Sequence, residues 1–210
     1  MRTRYVGAAL LLVIASTGSA FGSVIYALGQ ASTAGFTVGS GTGQTPRGWD
    51  FQVNSAGVLV SQLGVNAATS GSITLTLWDN ATQTELGQLI ETTTANSWAF
   101  ANLATPVLLT QGHQYSVIGW ENATSPWYLF STSPPAAFNP TGVIQYLDTR
   151  FDNGIGADTF PGSTLGAPDI FGVTDIGYSL ATPEPMSLGL VGAGLALVCA
   201  LRRKRIFSGV

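Results

Sequence analysis

The sequence predicts an all-β protein, an antiparallel β-sandwich that is jelly-roll-like, with a signal helix added at the N-terminus and a transmembrane helix at the C-terminus. Three observations carry this. Apolar and polar residues alternate with a period of two in several short runs. Gly, Asn, Pro and Ser separate those runs at intervals of roughly ten residues. Between residues 23 and 181 no stretch shows a long helical period with caps.

The first element is an address. Arg2 and Arg4 precede an apolar run at 6–15, followed by small residues, among which Gly18 and Ala20, or Ala20 and Gly22, suit a cleavage site. This is the layout of a secretory signal peptide, here 1–22. The apolar run reaches only about 15 Å, half the thickness of a bilayer core.

The exported body, 23–181, follows. At 71–79, Ile73, Leu75 and Leu77 alternate with Thr74, Thr76 and Trp78, as in a half-buried strand. Residues 113–120 do the same, with Tyr115 and Val117 opposite Ser116 and Ile118. Further strands are expected at 49–53, 58–65, 86–94, 98–103, 127–131, 143–149 and 176–180. The glycine-rich segment 35–48 reads as loop or edge. The segment 131–140 reads as a surface loop, because Pro134, Pro135 and Pro140 cannot donate to a ladder.

The last element, 182–210, begins with Pro183, Glu184 and Pro185, continues through the uncharged, mostly apolar run 186–201 and ends in Arg202, Arg203, Lys204 and Arg205. The two prolines hold 182–184 extended. A helix over 186–201 alone is about 24 Å long, and one begun at Thr182 is about 30 Å, a bilayer core. The basic cluster keeps its end in the cytoplasm while the body crosses. Residues 183–205 resemble the PEP-CTERM sorting signal of exported Gram-negative bacterial proteins, with Thr182 where valine is commoner. The resemblance implies an exosortase, a membrane-embedded cysteine transpeptidase-like enzyme, as processing partner, alongside the secretion machinery. It also implies a setting in bacteria that make exopolysaccharide. Segments 48–65, 73–90 and 98–119 are similar to an exported β-sandwich family of uncharacterised function that often precedes such anchors, and they transfer no catalytic residue.

Charge narrows the partners. The chain carries a net charge of -3. Within 23–181, however, Arg47 and Arg150 face ten carboxylates and there is no lysine. A phosphate backbone finds no basic stripe, which excludes nucleic acid, whereas neutral sugars and divalent cations remain compatible. The single cysteine, Cys199, lies in the apolar tail, so no intrachain disulfide can form and stability rests on packing. Arg47 and Arg150 are each expected to have an acidic neighbour.

Candidate chemistry is sparse. His113 is the only histidine, which rules out a His-rich metal site and a Cys-His pair, and reads as a turn residue. No Gly-x-Ser-x-Gly elbow is present to place a nucleophilic serine. Glu85, Glu91, Glu121, Asp148 and Asp152 are available to a glycosidase pair, though solvated surface carboxylates are the simpler reading. Asp148, Asp152, Asn153 and Asp158 offer oxygen ligands to calcium, without EF-hand spacing and against the competing reading of a solvated turn. Among the aromatics of the second half, Trp120, Trp127 and Phe138 are the candidate sugar-stacking platform, with Phe138 expected to be exposed in the Pro-rich loop. The expected function is a non-enzymatic cell-surface or extracellular-matrix protein associated with exopolysaccharide or biofilm. A carbohydrate-binding module and, more remotely, a glycoside hydrolase are its rivals.

Overall fold

The computed structural model describes residues 22–39, 43–123 and 127–181. The expected signal peptide short of its final residue, and the whole of 182–210 with its expected sorting residues and helix, lie outside the described residues. Among the described residues no helix is long and apolar enough to cross a membrane.

The strands, in chain order, are β1 (Ile25–Tyr26), β2 (Thr37–Val38), β3 (Gly43–Gln44), β4 (Arg47–Val53), β5 (Val58–Asn66), β6 (Gly71–Asp79), β7 (Thr84–Thr93) and β8 (Trp98–Leu108). They continue with β9 (Gln114–Trp120), β10 (Asn122–Ala123), β11 (Leu129–Ser131), β12 (Ile144–Phe151), β13 (Ser163–Thr164), β14 (Ile170–Phe171) and β15 (Val173–Leu180). One sheet has the order β1-β15-β5-β8. The larger sheet runs β7-β6-β9-β4, where it forks, to β12 and β13 on one branch and to β14, β11 and β2 on the other. Strands β3 and β10 form a separate ribbon, and every pairing is antiparallel. From β4 onward the chain crosses between the sheets repeatedly, so most neighbours in space are distant in sequence.

The core follows from alternation. Trp49, Phe51 and Val53 of β4, Val117 of β9 and Ile73, Leu75 and Leu77 of β6 meet Val58, Val60, Leu63, Val65 and Ile176 of the other sheet, all fully buried. Burial of such side chains stabilises by about 1.5–3 kcal/mol each before entropy is counted. The buried positions of β5 change phase between Val60 and Leu63, because the β5–β8 register shifts between Val60 and Gln62. Opposite that shift, β8 places residues 103–106, so Pro106 sits where no ladder donor is required. The sheets are also joined by polar bonds: the Trp49 indole N–H donates to the Thr174 carbonyl at 2.8 Å, and the Thr174 hydroxyl donates to the Val117 carbonyl at 2.9 Å. Gly48 is required where β4 passes β9, since a Cβ there would collide with the Val117 carbonyl.

The β6–β7 hairpin shows how the turns are specified. The Asp79 Oδ1 accepts the N–H groups of Ala81 at 2.9 Å and Thr82 at 3.1 Å, and Gln83 completes the turn at φ 53°. A left-handed non-glycine residue costs about 1–2 kcal/mol, part of which glycine returns as unfolded-state entropy. Gln83→Gly is therefore expected to raise stability by up to about 1 kcal/mol, read as a higher urea midpoint at unchanged m-value.

The expected strands are present with adjusted ends. The strand expected at 98–103 continues to Leu108, and the one expected at 127–131 begins only at Leu129. The Pro-rich segment is a loop, but it folds inward. Its single turn of 3-10 helix, Ala136–Phe138, buries Phe138 completely, with the ring 4.8 Å from that of Phe36. The expectation of an exposed Phe138 is thus corrected: the prolines set the course of the loop while the phenylalanine anchors it in the core.

Candidate functional site

The three rings expected to form a platform do not form one. Trp127 is fully buried, and its N–H donates to Thr45, to the carbonyl and the hydroxyl at 3.1 Å each. Phe138 is sealed as described. Trp120 is half-buried on the larger sheet, with its N–H held by the Ile155 carbonyl at 2.8 Å. The physical reason is that large rings bury most area by turning inward, and here Trp127 and Phe138 do so from the loops on either side of β11.

The oxygen donors expected to suit calcium are likewise engaged separately. Asp148 Oδ1 accepts the N–H groups of Thr149 and Gly166, at 2.7 and 2.6 Å. Asp152 accepts the N–H of Asn153 at 2.8 Å and that of Gly162 at 3.2 Å. Asn153 Oδ1 accepts from Arg47 at 2.7 Å, and Asp158 from Gln88 at 3.3 Å. Among the described residues no three His, Cys, Asp or Glu side chains gather in a group suited to a metal ion. Asn153 and Asp158 fasten the segment 152–162 across the larger sheet, to Arg47 of β4 and Gln88 of β7, and Asp152 closes it at Gly162. There Phe160 meets Trp78 at 5.7 Å and the Arg150 guanidinium at 4.6 Å.

Of the two cations of the body, Arg150 has the expected acidic neighbour: its Nε and Nη2 each donate to the Asp50 carboxylate at 2.6 Å. Asp50 also accepts the Ser116 hydroxyl at 2.5 Å. Ser116 lies 2.5 Å from the Asn80 amide as well, and since a hydroxyl has one proton, the Asn80 contact is satisfied with its NH₂ donating to Ser116. Arg47 is held differently. It donates to the carbonyls of Pro46, at 2.8 Å, and Asp152, and lies over the rings of Tyr128 and Phe151. Burial lowers its pKa, opposed by its hydrogen bond to Tyr128 and the charge of Asp152.

A concavity lies elsewhere on the body. A cleft of about 470 Å³ opens between the strap 30–36 and the edge formed by Asn66, Asn96 and Trp98. The strap is built locally. Ala31 N–H donates to the Leu28 carbonyl at 3.1 Å, Phe36 N–H to the Thr33 carbonyl at 2.9 Å, and Gln30 is left-handed at φ 52°. Across the cleft, Asn96 stands at φ 57° with its N–H on the Ala67 carbonyl at 2.7 Å. The Trp98 indole N–H reaches back to the strap, donating to the Ala31 carbonyl at 3.0 Å, and its ring stacks on Phe100 at 5.6 Å. Asn66, only 3% exposed, leaves its Oδ1 without a hydrogen-bond partner among the described residues.

Beneath the strap lies an unusual carboxyl. Asp175 of β15 is fully buried, and its Oδ1 accepts the N–H groups of Leu28 at 3.0 Å and Ile176 at 2.8 Å. Its Oδ2 has no partner among the described residues. Burial pushes its pKa up to about 8, with the backbone N–H bonds opposing. Burial also raises the carboxyl of Glu121 and, with the nearby Asp175, the Tyr178 hydroxyl.

The cleft escaped sequence reading because its halves are over sixty residues apart from Gln30 to Asn96. The readable trace was the uncharged polar run 92–97 directly before Trp98. The fold and cleft together define a class, an all-β antiparallel sandwich with an uncharged cleft at the edge of its smaller sheet. No family model matches the chain, and no curated protein matches it.

Proposed function

We propose that the chain is an exported, non-enzymatic component of the cell surface or extracellular polysaccharide matrix, processed by an exosortase at 182–210. The observation that carries this is the order of Pro183-Glu184-Pro185, the uncharged run 186–201 and the cluster Arg202 to Arg205 behind an acidic, lysine-free body. In this reading the precursor is anchored in the inner membrane by its last helix until the tail is removed. The body holds together by packing and buried polar bonds, which do not depend on the redox state of the compartment.

We read the sandwich more finely as a jelly roll with an insertion. If β1, β4, β5, β6, β7, β8, β9 and β15 are counted 1 to 8, the sheets run 1-8-3-6 and 2-7-4-5, and β10 to β14 form the insertion before the last strand.

The test is the mass of the mature protein. In a strain with active exosortase the protein is expected to lose Arg202 to Arg205. The variant Glu184→Ala, or deletion of the exosortase, is expected to leave the tail in place. A surface protein that still carries the tail in the active strain would overturn the proposal.

A further inference from the structure

We propose that the cleft between the strap 30–36 and Trp98 is a binding site for a neutral sugar unit, a pyranose ring without carboxylate, phosphate or amine. The inference stands on the cleft alone and does not depend on export or on processing of the tail.

The chemistry of the walls selects the class. No ionisable side chain lines the cleft, so an anionic ligand finds no countercharge and also meets the negative field of the body, while a cation finds no carboxylate. A purely apolar ligand is also a poor match, because it would strip water from Gln30, Asn66, Asn96, Ser32 and Thr33 without replacing its hydrogen bonds. These amides and hydroxyls both donate and accept, which is what a ring of adjacent hydroxyls requires. Trp98 supplies the flat apolar surface on which the C–H face of such a ring rests.

Two further observations favour a built site over a surface dent. The Asn66 Oδ1 is a buried acceptor without a partner among the described residues, and such an atom in a native interior calls for a donor, which a ligand hydroxyl supplies once the amide turns into the cleft that it lines. The walls are also fixed before anything binds. The Trp98 N–H is committed to Ala31, the Asn96 N–H to Ala67, and the strap is pinned from below by the Leu28 N–H on Asp175. Little ordering is left to oppose binding. The volume, about 470 Å³, lies within the range of small-molecule sites.

The experiment is calorimetric titration of the full-length protein in a zwitterionic detergent, since a detergent with a sugar head group would compete. The probes are neutral malto- and cello-tetraose, with a tetramer of hexuronate as charged control. At least one neutral tetraose is expected to bind, and the hexuronate to bind at least about tenfold more weakly. Trp98→Ala is expected to weaken binding about tenfold or more, and Asn66→Ala similarly. Asn96→Gly, which keeps the left-handed backbone, is expected to weaken it several-fold and serves where Asn66→Ala fails to fold. Trp120→Ala is expected to bind as the parent does. The proposal is overturned if folded protein binds neither neutral tetraose at about 10 mM. It is equally overturned if the hexuronate binds as well as the neutral probes, or if Trp98→Ala and Asn96→Gly bind like the parent.

Discussion

Replacing Asp175 by Asn is expected to stabilise the body at alkaline pH, by something of the order of 3–5 kcal/mol at pH 9, and to leave it nearly unchanged near pH 4. The sign follows from burial. The Asp175 carboxyl is fully buried, and its pKa is pushed from 3.8 in the unfolded chain up to about 8 in the fold. A group whose pKa rises on folding takes up a proton as the chain folds. Its contribution is complete below the unfolded value and is lost as pH rises toward the folded one. Between about pH 4 and pH 8 the parent should therefore lose stability with a slope of up to about 1.4 kcal/mol per pH unit from this residue. Glu121, raised by burial as well, adds to the slope in the same direction.

Asparagine reproduces the neutral state. Its Oδ1 still accepts from Leu28 and Ile176, and its NH₂ takes the place of an Oδ2 that has no partner among the described residues. Urea unfolding at pH 5, 7 and 9, followed by tryptophan fluorescence, measures the difference. Parallel pH profiles for the parent and Asp175→Asn would show that the carboxyl is not protonated in the fold. Asp175→Ala should behave otherwise, costing stability at every pH, because it removes the acceptor that holds the strap at Leu28.

How much of this was legible depended on the range of the interaction. The strands at 71–79 and 113–120 were plain because alternation is local, but the half-buried strand expected at 71–79 is covered on its second face too, where Thr76 lies against Gln88 and Trp78 against Phe160. The phase change between Val60 and Leu63 was not, because it comes from the extra residue Ser61 in β5, which shows only in the pairings with β15 and β8, both distant in sequence. Phe138 was misjudged for a related reason: its prolines are a local signal for a loop, but the pocket that receives it is built by Phe36, a hundred residues earlier. Acidic residues at 148–158 were read as ligands or solvated turn. In the structure Asp148 and Asp152 accept backbone N–H groups, Asp158 accepts from Gln88 and the neighbouring Asn153 from Arg47, partners that only the fold brings near, while Asn153 and Asp158 stay exposed. The site suffered most, since Gln30, Asn66 and Trp98 belong to three separate segments and carry no motif.

The pair Asp50–Arg150 is where a single change should do most damage at neutral pH. In a body with two cations, one is spent on joining β4 to β12 through a two-pronged contact in which the side chains are only 7% and 14% exposed. Arg150 also holds the Pro161 carbonyl at 2.9 Å and lies under Phe160, so it fastens the 152–162 segment to the sheet. Arg150→Met keeps the length of the stem and removes the charge. It leaves the Asp50 carboxylate in a nearly buried site with the Ser116 hydroxyl as its one side-chain donor among the described residues, and is expected to cost about 3–5 kcal/mol. Much of that cost is the stranded carboxylate, not the lost attraction, and a second substitution separates the two. Asp50→Asn added to Arg150→Met removes the stranded charge, so the double variant should be more stable than Arg150→Met alone by about 1–3 kcal/mol. Urea midpoints of the four proteins test this. If the double variant is no better than Arg150→Met, the contact acts through the packing of its stem and of Phe160, and the charge on Asp50 is already neutralised by other means. Proteolysis within 152–162 should accelerate in both Arg150→Met proteins whichever way the midpoints fall, because the bond from Arg150 to Pro161 is gone in each.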